Sequence, residues 1–221
     1  MTIVSIDFSI LYPGIAICKD FKDFKWFSIL NTKVKKSDQA NFDYLLQNYP
    51  NIELGQTTTV RKTSPEYHIT ERTKLLNYRD LIDKIVDKII LEIGEDEAII
   101  SIEGMSFGSK GNSLVDIAQS TGILRHALLT RVLNGEADRL FIFSPSELKN
   151  AIGAKGNAGK LDIFNQFKED PIIPLAKESD LYRAVNTEKW ILNGDKIVSP
   201  IIDMVDAYLG IVKIYQLFTQ K

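Results

Sequence analysis

Two short apolar runs in this chain each end on an acid: Ile3-Val4-Ser5-Ile6-Asp7 and Ile99-Ile100-Ser101-Ile102-Glu103. Runs of this length, rich in isoleucine and valine, read as strands buried in a sheet. A carboxylate closing such a strand loses about several kcal/mol of solvation unless something positive stands beside it. If the two strands are parallel neighbours, Asp7 and Glu103 lie side by side and repel one another. Asp203 and Asp206 lie three residues apart in an apolar segment near the C-terminus, so on a helix they share one face. Each acid alone has an ordinary explanation: a turn aspartate, a strand-end surface residue, a pair favoured by a helix dipole. All four together call for a divalent cation. Cys18 is the sole cysteine and there are two histidines, so the available ligands are oxygens, which suit Mg2+, with Mn2+ as a substitute, rather than zinc.

The rest of the chain supplies the frame. Residues 3–8, 14–19 and 24–30 read as three strands joined by short turns, one of them Pro13-Gly14, and form an antiparallel meander. A helix is predicted over 71–93, capped by Thr70, with Leu75, Ile82, Ile85, Val86, Ile89 and Ile93 as its buried stripe and Gly94 as its stop. After the strand at 98–103 come a Gly/Ser-rich loop at 104–113, a helix over 113–133 and a strand at 140–143. Short helices follow around 146–152 and 160–168, separated by the small-residue loop Gly153–Gly159, and a last helix covers 201–218. Residues 31–70 and 169–199 carry no sustained period and read as insertions. The 221 residues suit a single domain with those two insertions: an α/β fold whose five-stranded mixed sheet has three antiparallel strands, then parallel ones, flanked by helices. No apolar run approaches the ~18 residues of a membrane helix, and no signal peptide or disulfide framework is visible, so a cytoplasmic setting without membrane contact is expected.

In order along the chain, several stretches resemble the RuvC-type Holliday junction resolvases of the RNase H-like superfamily. They are the strand-end Asp7, Ile102-Glu103 with its Phe-containing loop and the helix ending near Gln119-Ser-Thr-Gly122, Pro145-Ser-Glu-Leu-Lys149 leading to Gly156-Asn-Ala-Gly-Lys160, and Asp203-x-x-Asp206-Ala207. The matched stretches cover roughly half the chain. The resemblance implies an RNase H-like fold and metal-dependent paired nicking of four-way DNA junctions. Asp7, Glu103 and Asp206 would hold the metals, with Asp203 beside them where some members use another ligand type. Lys149 and Lys160 would approach the scissile phosphate, and Phe107 would lie against the junction. The insertions and the mildly acidic balance depart from the family pattern and are compatible with a viral or phage relative acting in a host cytoplasm.

Charge points the same way locally. The net formal charge is −2, yet residues 104–168 hold eight Lys/Arg against five acids. Within that stretch Phe107, Lys110, Lys149, Lys155 and Lys160 are candidate DNA contacts, and the backbone amides of Gly153–Gly159 are candidate phosphate ligands. Lys110 and Lys168 read more readily as ordinary surface lysines. Two other classes compete: a non-catalytic branched-DNA-binding protein, and an actin-like ATPase or sugar kinase, for which this chain is short. Finally, Leu114, Val115, Ile117, Leu124, Leu128 and their neighbours spread around most of the helix at 113–133. That predicts a homodimer through its second face, broken by Leu124→Glu or Leu128→Glu.

Overall fold

The computed structural model describes residues 1–57, 64–105 and 112–219. The strands are β1 (Thr2–Asp7), β2 (Gly14–Lys19), β3 (Asp23–Leu30), β4 (Ile52–Gln56), β5 (Ala98–Glu103) and β6 (Leu140–Phe143), with β7 (Leu192–Asn193) and β8 (Lys196–Ile197) forming a separate hairpin. The helices are α1 (Lys36–Asn48), α2 (Tyr67–Ile93), α3 (Asn112–Ala127), α4 (Pro145–Ala151), α5 (Lys160–Glu169), α6 (Asp180–Thr187) and α7 (Ile201–Thr219).

The main sheet runs β4-β3-β2-β1-β5-β6, antiparallel across β3-β2-β1 and parallel across β1-β5-β6. It has six strands rather than the expected five. The addition is β4, which comes from the 31–70 insertion and pairs in parallel with β3, with α1 making the crossover. Its Ile-Glu-Leu-Gly-Gln is too short and too polar for periodicity to reveal.

Alternation along the strands divides the core in two. Val4 and Ile6, cross-paired with Ile17 and Ile15, face α2, α3 and the turn after α3. Ile3, Ala16, Cys18 and Trp26 face α4, α5, α6 and α7. Helix α7 is apolar nearly all round because it is buried nearly all round, with the sheet on one side and α4 and α5 on the other.

Two glycines seat α7. A Cβ on Gly14 would stand 1.8 Å from the Asp203 carbonyl oxygen, and one on Gly210 would stand 2.1 Å from Ser5 Oγ and 2.2 Å from Ser101 Oγ. Gly14 is therefore not simply a turn residue. It pairs with Asp7 at the start of β2 and lets the first turn of α7 press onto the sheet. Beneath Gly210, Ser101 donates to Ser5 at 2.8 Å, which satisfies two hydroxyls that the crossing seals from water.

Other expectations change in detail. Helix α2 begins at Tyr67, so Thr70 does not cap it; Thr70 Oγ1 instead donates to the Ser64 carbonyl at 3.1 Å. Leu75 is 55% exposed because burial on α2 begins only at Tyr78, where the helix first overlies the sheet. The helix expected over 113–133 is α3 followed by a π-helical turn, Leu128–Val132.

The larger correction concerns the second face of that helix. Leu124 and Leu128 are fully buried within this chain. Two of its charges are matched by α2: Asp116 accepts from Lys74 at 3.1 Å, while Arg131 lies 2.6 Å from Asp83 and 2.5 Å from Asp87; the Nε of Arg125 is buried without a hydrogen-bond partner. The face left outward carries Val115, Gln119, Gly122 and His126 and is mostly polar or small. Leu124→Glu and Leu128→Glu would therefore report on folding, not on a dimer.

Candidate metal and phosphate site

Asp7 ends β1 and Glu103 ends β5. The parallel register that pairs Ser5 with Ser101 and Ile6 with Ile102 leaves the two acids next in line on adjacent strands. The close seating of α7 against Gly14 then lowers Asp203 and Asp206 onto the same strand ends. One carboxylate oxygen from each of Asp7, Asp203 and Asp206 lies within 4.8 Å of the other two. Glu103 joins through Asp7, whose carboxyl hydrogen-bonds to it. Asp203 is not peripheral. It is 6% exposed, and its Oδ2 is buried without a hydrogen-bond partner.

Lys160 pairs with two of the four acids. Lys160, the first residue of α5, donates to Asp203 Oδ1 at 3.2 Å and lies 3.2 Å from Asp206 Oδ2. Lys149 sits in the last turn of α4, which a Ser144–Glu147 capping box starts. Its Nζ donates to the Ala158 carbonyl at 2.8 Å, tying down the loop that delivers Lys160. Loss of hydration inside the fold, then the charges of Asp206, Glu103 and Asp203, hold the Asp7 carboxyl well above the usual carboxylate range; Lys160 offsets this only in part. Burial also raises Glu103, against the pull of Asp7, Lys149 and Lys160. Asp206 is pushed up to about 6, by burial first, then by Asp203 and Glu103 against Lys160. Burial works against the Lys160 ammonium, yet Asp206, Asp203 and Asp7 together raise it.

These residues fit a hard divalent cation. The donors are all carboxylate oxygens, one is an orphaned buried atom, and their mutual repulsion is what a dication removes. The cleft they line has a volume of about 180 Å³, with Lys149, Lys160, Pro145 and Leu148 on its wall. It has room for a phosphate and ions.

Not every candidate converges here. Lys155 is exposed in the 153–159 loop and does not line the cleft. Phe107 and Lys110 lie outside the described residues. The amides of Gly153, Ala154, Ala158 and Gly159 are taken by Asn150, Lys149, Lys155 and Asp162, so most of that loop's donors are committed internally rather than free for phosphate. Gly14 and Gly210 were not singled out as site residues by sequence. The nearest signal was Pro13-Gly14 itself, which reads as a turn.

A six-stranded sheet ordered in this way, with helices on both faces and acids at the ends of its central parallel pair, has the RNase H-like fold. No protein-family model and no curated protein sequence matches the chain. Among solved structures the chain is similar to Thermus thermophilus RuvC, at 13% identity and a TM-score of 0.49, over 99% of this chain and 98% of that one. It is also similar to T. thermophilus RuvC in complex with Holliday junction substrate, at 16% identity and a TM-score of 0.46, over 99% and 97% of the two chains.

Proposed function

We propose that this chain is a metal-dependent endonuclease that cuts branched DNA, four-way junctions above all, by water-driven hydrolysis of a phosphodiester. The observation that carries the reading is the convergence of four acids with one lysine on the ends of β1 and β5. Asp7, Asp203 and Asp206, with Glu103 beside them, would hold Mg2+ or Mn2+. When bound, such ions supply Lewis acidity toward the phosphodiester and its attacking water. The chain's own groups do the rest. Lys160 lines the cleft with its ammonium beside Asp203 and Asp206, where it can hold a non-bridging phosphate oxygen as negative charge builds. Lys149 fixes the loop before α5 and adds a second positive group on the cleft wall. The choice of branched DNA rests on the ordered sequence motifs around Glu103, Lys149 and Lys160.

A nucleotide-hydrolysing kinase or ATPase fits less well, because most of the Gly153–Gly159 amides that could cradle phosphates are already bonded to nearby residues of the chain. A purely structural DNA binder would have no use for unmatched buried acids. The two-fold symmetry of a four-way junction suits a pair of active sites, so we include a homodimer in the proposal, assembled through a surface other than the buried Leu124 and Leu128. The test is incubation of a labelled four-way junction with the protein and Mg2+. Paired nicks that vanish with chelator and in Asp7→Asn support the reading; binding without cleavage overturns it. Sedimentation of the protein with and without junction checks the dimer.

A further inference from the structure

We infer that segments 31–70 and 169–199 build most of a second nucleic-acid contact, a basic groove that grips the backbone of a DNA arm. This rests on the branched-DNA reading above and extends it to residues that reading does not use. The groove has a volume of about 440 Å³ and lies between the β3–α1 connection, the β1–β2 connection and the β7–β8 hairpin. Lys33 and Lys35 line one side, Lys196 the other, and Tyr12 and Val198 also line it; Asp38 is the sole acid on its lining.

Three features mark it as a place for an anion. Lys33, Lys35 and Lys196 are exposed and line one groove together, and among the described residues none of them makes an ion pair. Helix α1 opens with Lys35 at its cap and Lys36 as its first residue, and no side chain caps it. Two cations at the positive end of a helix dipole are unfavourable, and Asp38 is the one acid in that first turn to answer them. The third feature is position. Tyr12 stands two residues before Gly14, and Val198 five before Asp203, so the chain segments that line the groove run on into those that carry the acids. A substrate whose phosphate enters the cleft would carry a continuing backbone, and duplex DNA presents phosphates that three lysines on opposing walls can straddle.

The groove walls are also firmly built. Phe42 of α1 packs edge-on against Trp190 at 6.3 Å, joining the first insertion to the second.

The experiment compares wild-type protein with the triple variant K33A/K35A/K196A on a long-armed four-way junction, measuring affinity across a salt series and cleavage at saturating DNA. Loss of three phosphate contacts should weaken binding roughly tenfold at moderate salt and make the log–log salt slope shallower by about 2–3. Cleavage at saturation should be unchanged, and K33R/K35R/K196R should bind like wild type. An unchanged affinity and slope, or a fall in saturated cleavage with unchanged affinity, overturns the groove. If wild-type protein itself neither binds nor cuts the junction, the branched-DNA reading fails instead.

Discussion

Two acids in this protein, Glu92 and Asp206, expose similarly little of their side chains and behave in opposite ways. The Glu92 side chain is 10% exposed and meets Lys88 and Lys25, each at 2.6 Å; Lys88 also meets Glu53 at 2.7 Å. Burial pushes the Glu92 carboxyl up, but its two lysines outweigh this and hold it below the usual range. The Asp206 side chain is 12% exposed and shares one lysine with Asp203, Asp7 and Glu103, and its carboxyl is pushed up to about 6. Burial raises both carboxyls and is the largest cause at Asp206, where Asp203 and Glu103 add to it and Lys160 offsets it only in part; at Glu92 the paired lysines outweigh it. One cluster is a finished structural ion-pair network; the other is short of positive charge, and a folded protein keeps such a deficit where a cation is to be bound.

The sharpest way to break this comparison is to remove single acids from each cluster. Asp7→Asn, Glu103→Gln and Asp206→Asn should each lower junction cleavage by roughly 10³-fold or more while leaving junction binding near wild type. Glu92→Gln should leave cleavage unchanged. Equal activity in Asp7→Asn and wild type would end the assignment of the cleft.

Next in size is the lone lysine. Lys160→Ala should lower the maximal cleavage rate by roughly 10²-fold with little change in junction affinity, since the charge it meets grows in the transition state. Lys149→Ala should do the same to a smaller extent. Lys168, whose Nζ stands 5.6 Å over the Phe164 ring, is the control. Lys168→Ala should alter only the salt dependence of binding, and equal affinity losses at all three would remove the catalytic role.

Smaller in energy is the glycine that sets the cluster in place. Gly14→Ala puts a Cβ into the backbone at Asp203 and should destabilise the fold by about 1–3 kcal/mol in urea unfolding. It should also weaken cleavage, because the turn carrying Asp203 must move. Wild-type stability and cleavage in this variant would show that the contact does not matter.

The smallest effect concerns pH. Asp206 has a folded-state value of about 6, above its ordinary 3.8. Its contribution to stability is therefore present below about pH 4 and is lost as pH rises through about 6. In metal-free buffer at pH 8, Asp206→Asn should be more stable than wild type by on the order of 1–2 kcal/mol, and the difference should fade toward pH 4. Mg2+ should raise the wild-type melting temperature at pH 8 and have little effect at pH 4. A stabilisation that grows with acid would contradict the charge-deficit account. Glu92, depressed rather than raised, predicts the reverse: its contribution is present above about pH 4.5 and lost on acidification, so Glu92→Gln should destabilise near neutral pH.

The amino-acid sequence alone determined that β1 and β5 are buried strands ending on acids, that Asp203 and Asp206 share a helical turn, and that a strand, a short capped helix and a lysine-led helix follow one another from 140 to 169. Each of these is written in local period and in residue type, and strand-end carboxylates are visible because they violate the pattern around them. Tertiary structure alone decided the rest. Nothing local in Ile52–Gln56 says that it will become the sixth strand, because β4 owes its form to the open edge of β3. The apolar spread of α3 suggested a second copy, yet the partner is α2 of the same chain, since Lys74, Asp83 and Asp87 come from sequence far away. Gly14 and Gly210 look like a turn and a weak spot in a helix, and only the crossing of α7 over the sheet shows that any larger side chain would hold the acids apart. Sequence writes short-range order into neighbours. The meeting of Asp7, Glu103, Asp203 and Asp206 depends on close approach between elements up to two hundred residues apart, and packing is what sets that distance.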